Sequence, residues 1–215
     1  MSQEGPIPLP LFTPEAIATA LTGVPTACEE NPNPDGAPAL RRAGVLVPLL
    51  PLADGWRLLL IRRTREVPHH KGQIAFPGGR EDPQDVGLLD TALREAREEV
   101  GLDPAGVTIL GRLPSRVTFG SRFLIHPFVG LVAPVQPLRP DPREVDSTLL
   151  VPLAFFLDPT HHVAERMPDR PVIQHRYRYG DHLIWGATAG IIHRFMGLIA
   201  ARLHPGTARN NEENQ

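Results

Sequence analysis

The sequence predicts an α/β protein in which a mixed β-sheet is covered on both faces, an α/β/α sandwich. Three observations carry this reading. Apolar, β-compatible runs recur along the chain, and two long segments interspersed with them place apolar residues at helical spacing. The 25 prolines, far above the usual share of about 5%, keep the elements short and join them by fixed turns.

Residues 13–23 (TPEAIATALTG) read as a short helix, with Thr13 as N-cap, Pro14 at the first helical position, Glu15 complementing the dipole and Gly23 as the stop. The polar, proline-rich stretch from Pro25 to Pro38 is a linker. Ala43 to Leu50 and Trp56 to Arg63 form a hairpin about the turn signal Asp54-Gly55. Residues 64–82 (TREVPHHKGQIAFPGGRED) hold too many glycines and prolines for a long regular element, and loops of that length are often functional. Leu88 to Val100 is the clearest helix, stopped by Gly101 and Pro104. Strands follow at 107–112, 123–132 and 144–151, then a short helix at 153–157, a strand at 172–179 and a long helix at 186–203. The expected organisation is an N-terminal helix and linker (1–37), one main domain (38–203) and a disordered tail (204–215), without an internal repeat.

A chain of 215 residues can bury a real core in one domain, and 41% hydrophobic with 21% charged residues is globular rather than disordered or membrane-embedded. The net charge of −2 argues against a non-specific binder of nucleic acid or of anionic membrane, since such proteins recruit phosphate with a basic surplus. Lys71 is the only lysine; the arginines suit bidentate phosphate contacts, although genome composition explains the bias equally well. Cys28 stands alone, which excludes an internal disulfide and a cysteine zinc cage and fits a reducing, cytoplasmic setting, as does the lack of a signal-peptide pattern, a spanning apolar run or a C-terminal targeting signal. A monomer or homodimer is expected.

On a helical wheel Leu89, Ala92, Leu93, Ala96 and Val100 share one face of the 88–100 helix, while Glu95, Glu98 and Glu99 share the neighbouring one. Carboxylates at i, i+3 and i+4 repel one another, so something should compensate them. A hard divalent cation does so: magnesium takes oxygen ligands at about 2.1 Å and keeps sites for water and substrate phosphates. Taken alone, the acids read more readily as a solvated face with Arg94 and Arg97 as surface partners. Upstream, the Pro77-Gly78-Gly79 turn is able to bring a backbone carbonyl close to the acids.

The stretch GGREDPQDVGLLDTALREAREEVGL resembles the Nudix box, Gly-x5-Glu-x7-Arg-Glu-U-x-Glu-Glu-x-Gly-U with U aliphatic, at Gly79, Arg94, Glu95, Ala96, Glu98, Glu99, Gly101 and Leu102. Residues 80–93 make an interval one residue longer than the general pattern, and no glutamate stands at the first glutamate position; Asp85 or Asp82 is nearest. The resemblance implies a Nudix-type fold, Glu95 and Glu99 as metal ligands with Glu98 and the Gly79 carbonyl beside them, Mg2+ or Mn2+ as cofactor, and Arg94 orienting the acids.

The longer box resembles the coenzyme A pyrophosphatase branch of that family, as does LLIRRTREVPHHKGQIAFPGG, which matches the branch motif at Leu59, Leu60, Arg63, Gly72, Phe76, Pro77, Gly78 and Gly79 and departs from it at Ile61, Thr64 and Pro68. Pro68 stands where an arginine is expected, and Lys71 or His70 is its substitute. Arg63, His70, Lys71 and Gln73 are therefore the candidate substrate-binding residues. REVDSTLLVPL places Glu144 as a further ligand or base, and IWGATAGII resembles the opening of the branch's last helix.

The implied reaction is attack of water on a diphosphate phosphorus, with Glu98 or Glu144 taking the proton. Coenzyme A or its acyl thioesters would give 3',5'-ADP and (acyl-)4'-phosphopantetheine. ADP-ribose, a dinucleotide or a nucleoside triphosphate are the alternatives within the class, and a nucleotide sensor without turnover is the alternative outside it.

Overall fold

The computed structural model describes residues 12–25, 39–65, 71–118, 121–167 and 172–203. Most of the linker, His70, Pro68 and the segment expected as a tail lie outside them. The first helix, α1 (Pro14–Leu21), begins as expected, its Thr13 side chain accepting the N–H of Ala16 at 3.1 Å. The hairpin follows as β1 (Arg41–Leu52) and β2 (Gly55–Arg63), then β3 (Ile74–Ala75), β4 (Gly78–Arg80), α2 (Leu88–Val100), β5 (Val107–Arg112), β6 (Arg116–Val117), β7 (Phe123–Val132) and β8 (Val145–Pro152). The chain closes with β9 (His162–Arg166), β10 (Ile173–Tyr179), β11 (His182–Trp185) and α3 (Gly186–Leu203).

The larger sheet runs β3-β2-β1-β7-β5, with β4 paired to β1, β6 to β7 and β8 to β2. It is mixed: among the described residues β1 and β7 run parallel, while the other strand pairs of this sheet are antiparallel. β1 is apolar at nearly every position because both faces of the sheet are buried. Val45, Val47 and Leu49 face one core, joined by Leu58 and Leu60 of β2, Ile17 and Leu21 of α1, and Ile192 and Phe195 of α3. Leu46 and Leu50, with Leu59 and Ile61, face the other, joined by Leu88, Ala92, Ala96 and Val100 of α2. Each fully buried leucine or isoleucine stabilises the fold by about 1.5–3 kcal/mol, so the two faces together fix α2 against β1. The architecture is the α/β/α sandwich.

α2 and α3 have the bounds their periodicity predicts. Beyond expectation are β3, β4 and β6, of two or three residues each, and β9 and β11, which flank β10 in a separate three-stranded sheet. Strands of two or three residues are too short to show an alternation. The helix expected at 153–157 is 3-10 in form. Among the described residues no helix is long and apolar enough to cross a membrane.

Candidate active site

The site is assembled at three glycines. α2 crosses β1 at Gly44, where a Cβ would lie 2.1 Å from the Leu88 carbonyl oxygen. β4 pairs antiparallel with the same stretch of β1, Gly79 opposite Gly44 and Gly78 opposite Val45. Gly78 has φ 152° and would drive a Cβ to 2.5 Å from the Gly44 carbonyl oxygen. At Gly79 a Cβ would sit 2.4 Å from Cδ of Glu95, so the bare backbone of β4 lies directly against that carboxylate.

The three helix acids are not equivalent. Glu99 is only 1% exposed: its Oε1 accepts from Nη1 of Arg63 at 2.8 Å and its Oε2 from the N–H of Gly78 at 2.9 Å. Burial pushes its carboxyl up to about 7, against the hydrogen bond from Gly78 and the charge of Arg63, which pull it down. Glu95 is half-buried and is likewise raised by burial, with Arg94 opposing and Glu98 and Glu144 adding repulsion. The Glu98 side chain is 58% exposed. The wheel had put all three beside the apolar stripe; packing of β4 and Arg63 over the end of α2 draws Glu99 into the buried face.

Arg94 holds this group together. Its Nη1 donates to Glu95 at 2.9 Å and to Glu98 at 3.1 Å, while Nε and Nη2 grip the two Asp85 oxygens at 2.8 and 3.1 Å. Of the two aspartates near the missing box glutamate, Asp85 is therefore the one on the arginine. It also accepts from the Asp82 N–H and the Thr91 hydroxyl, and the Arg94 guanidinium beside it holds its carboxyl well below the usual range. Asp82 instead accepts the N–H of Gln84. A group with a depressed folded pKa adds stability above its ordinary pKa of 3.8 and loses it as pH falls towards the folded value. Asp85→Asn is accordingly expected to cost about 1–3 kcal/mol in denaturant unfolding at neutral pH, a difference that should shrink in acid. An unchanged midpoint would remove Asp85 from this role.

Arg63 spans two acids, since its Nη2 is also 3.7 Å from Glu144, whose side chain is 50% exposed. Arg63, Gln73, Gly79, Glu95, Glu98 and Glu144 all line one cleft of about 1220 Å3 between the two sheets. Lys71 is exposed and is not among the residues lining it; His70 lies outside the described residues. The same cleft is also lined by residues that local sequence did not signal, Arg41, Arg116, Arg122, Phe123 and Trp185, with the Arg41 guanidinium 4.3 Å from the centre of the Phe123 ring. These residues are scattered from position 41 to 185, so only the fold brings them together.

A cleft wall with three carboxylates, Glu95 among them raised above its ordinary pKa, the buried Glu99 behind it, and a glycine where a Cβ would strike Glu95 is suited to a hard divalent cation with oxygen ligands. Residues 40–171 match the NUDIX domain. The chain belongs to the Nudix family. It is 42% identical over 159 residues to a Nudix hydrolase NudL of Photorhabdus laumondii, covering 72% of this chain and 82% of that protein. It is 39% identical over 165 residues to the NudL of Pectobacterium atrosepticum, covering 75% and 84%. In fold it is similar to the Nudix hydrolase of Alicyclobacillus acidocaldarius, with a TM-score of 0.51 and 19% identity over 77% of this chain and 94% of that one. As a Nudix hydrolase it acts on pyrophosphate bonds of small nucleotide-derived substrates, and hydrolases of this family generally use divalent metal ions.

A cation held by Glu99 would bind in a pH-dependent way. Between the ordinary 4.5 and about 7 the metal-free fold keeps a proton on Glu99 that the unfolded chain has released, and such a cation would have to displace it. Mn2+ affinity, titrated calorimetrically, is expected to rise about tenfold per pH unit up to about 7 and then level off. A flat profile below that point would show that Glu99 is not a ligand.

Proposed function

We propose that this Nudix hydrolase cleaves the diphosphate of coenzyme A or acyl-coenzyme A, releasing 3',5'-ADP and (acyl-)4'-phosphopantetheine. The observation that carries the reading is the cleft: acids, three arginines and two aromatic side chains line one space of about 1220 Å3, far more than a diphosphate alone occupies. A nucleotide with a further phosphate monoester and a long, partly apolar arm suits that volume and that mixture of charged and apolar lining residues. The longer box and the segment from Leu59 to Gly79 support the same branch.

Glu95 and Glu99 would hold the cation, Mg2+ or Mn2+, with Glu98 and the Gly79 carbonyl beside them. When bound, it supplies positive charge against the diphosphate oxygens and acidity to water. Arg94 keeps Glu95 and Glu98 in place. Glu98 or Glu144, both open to solvent, takes the proton as water attacks phosphorus, and the bridging P–O bond breaks with a phosphate monoester leaving. Arg63 and Gln73, which line the cleft, would contact the diphosphate from β2 and the following loop; His70 and Lys71 are the loop candidates that the resemblance adds.

The test is mass spectrometry of products from coenzyme A and, separately, ADP-ribose, with each metal. Appearance of 3',5'-ADP from coenzyme A supports the proposal. Rapid turnover of ADP-ribose with coenzyme A intact moves the substrate within the class, and binding without turnover of either points to a sensor. Arg116→Ala is further expected to raise KM about tenfold for coenzyme A but not for the analogue lacking the 3'-phosphate.

A further inference from the structure

Three histidines meet between the second sheet and α3. His162 opens β9, His175 lies on β10, and His193 projects from α3. Nε2 of His162 is 2.9 Å from Nδ1 of His175. The rings of His175 and His193 stack at 3.9 Å, and those of His162 and His193 lie 4.8 Å apart. One ligating nitrogen from each residue falls within 4.8 Å of the others.

We propose that His162, His175 and His193 form a second metal site, selective for a transition metal of the zinc type and separate from the carboxylate site. Zinc–nitrogen bonds of about 2.0–2.1 Å put the nitrogens of a tetrahedral site about 3.3 Å apart. The 2.9 Å pair is already close to that spacing, and the remaining gap closes by rotation of His193, the exposed member. Three protein ligands leave a fourth position for water.

The chemistry of the donors selects the ion. Burial holds all three rings below the ordinary histidine pKa, His175 at about 4, so at neutral pH they are uncharged and have lone pairs to donate. Arg116 and Arg194 add positive charge near His193. That field disfavours an ion held by charge alone, such as magnesium, and leaves the site to one held by strong imidazole bonds: zinc, nickel or copper. Such an ion ties β9 and β10 to α3. A Cβ at Gly190, three residues before His193, would lie 2.5 Å from Cζ of Arg116, so the same turn of α3 also seats an arginine of the cleft.

Untagged full-length protein equilibrated with Zn2+ in a large excess of Mg2+, then gel-filtered and assayed for metal, is expected to retain one zinc per chain. Co2+ in its place should give the intense visible bands of a tetrahedral site. His193→Ala, at an exposed position, and His175→Gln should both lose the zinc and the bands, while Glu99→Gln keeps them. Absence of zinc from the wild type, or its retention in the two histidine variants, would overturn the proposal.

Discussion

Glu99→Gln is expected to lower kcat about a thousandfold while the protein remains folded, the scale reached when one electrostatic contributor is removed from a reacting centre. The size follows from where the side chain sits. At 1% exposure it joins Arg63 of β2 to the backbone of Gly78, so one carboxylate sets the relation between α2, β2 and β4, and in the proposed mechanism it would also offer an anionic oxygen to a cation. Glutamine can still accept from Gly78 but cannot bind a hard cation with comparable strength. Stability moves the other way. A carboxyl raised to about 7 opposes folding once it ionises, so above that pH the metal-free variant should unfold at the same or a higher denaturant concentration than the wild type. Steady-state kinetics paired with denaturant unfolding checks both halves; retention of a tenth or more of the activity would exclude Glu99 as a ligand.

Gly44→Ala is expected to cost about 3 kcal/mol or more and to reduce kcat at least a hundredfold, whereas Gly79→Ala should lose activity on the same scale with little change in stability. The new methyl at Gly44 meets backbone on both sides: it would be 2.1 Å from the Leu88 oxygen and 3.1 Å from the Ala92 nitrogen, so α2 itself must move off β1. Because α2 carries Glu95, Glu98 and Glu99, the shift displaces the whole acid group. At Gly79 the clash is with Cδ, Oε1 and Oε2 of Glu95, the end of a flexible side chain, at 2.4 to 2.6 Å. The carboxylate can swing away at small energetic cost, but it then leaves its position beside β4. Denaturation midpoints and kcat for the two variants separate the cases. Wild-type stability in Gly44→Ala would disprove the close packing of α2 on β1.

Much of this site was legible before any fold was known. Local signals determine α2: a 3.6-residue period from Leu88 to Val100, Gly101 in the left-handed conformation as its stop, and three acids on neighbouring wheel positions. The order of the longer strands and the glycine turn next to the acids are equally local, because propensity, alternation and turn chemistry act over a few residues. Whether Asp85 or Asp82 meets Arg94 was open, and only the tertiary structure decides for Asp85. It alone distinguishes buried Glu99 from exposed Glu98, since burial is set by Arg63 and Gly78, 36 and 21 residues away in sequence. The cleft arginines and the histidine triad likewise come from residues far apart in the sequence. The sequence by itself determined the chemistry of the helix; packing between distant segments decided which of its carboxylates is desolvated and what surrounds it, because desolvation depends on contacts that no local pattern encodes.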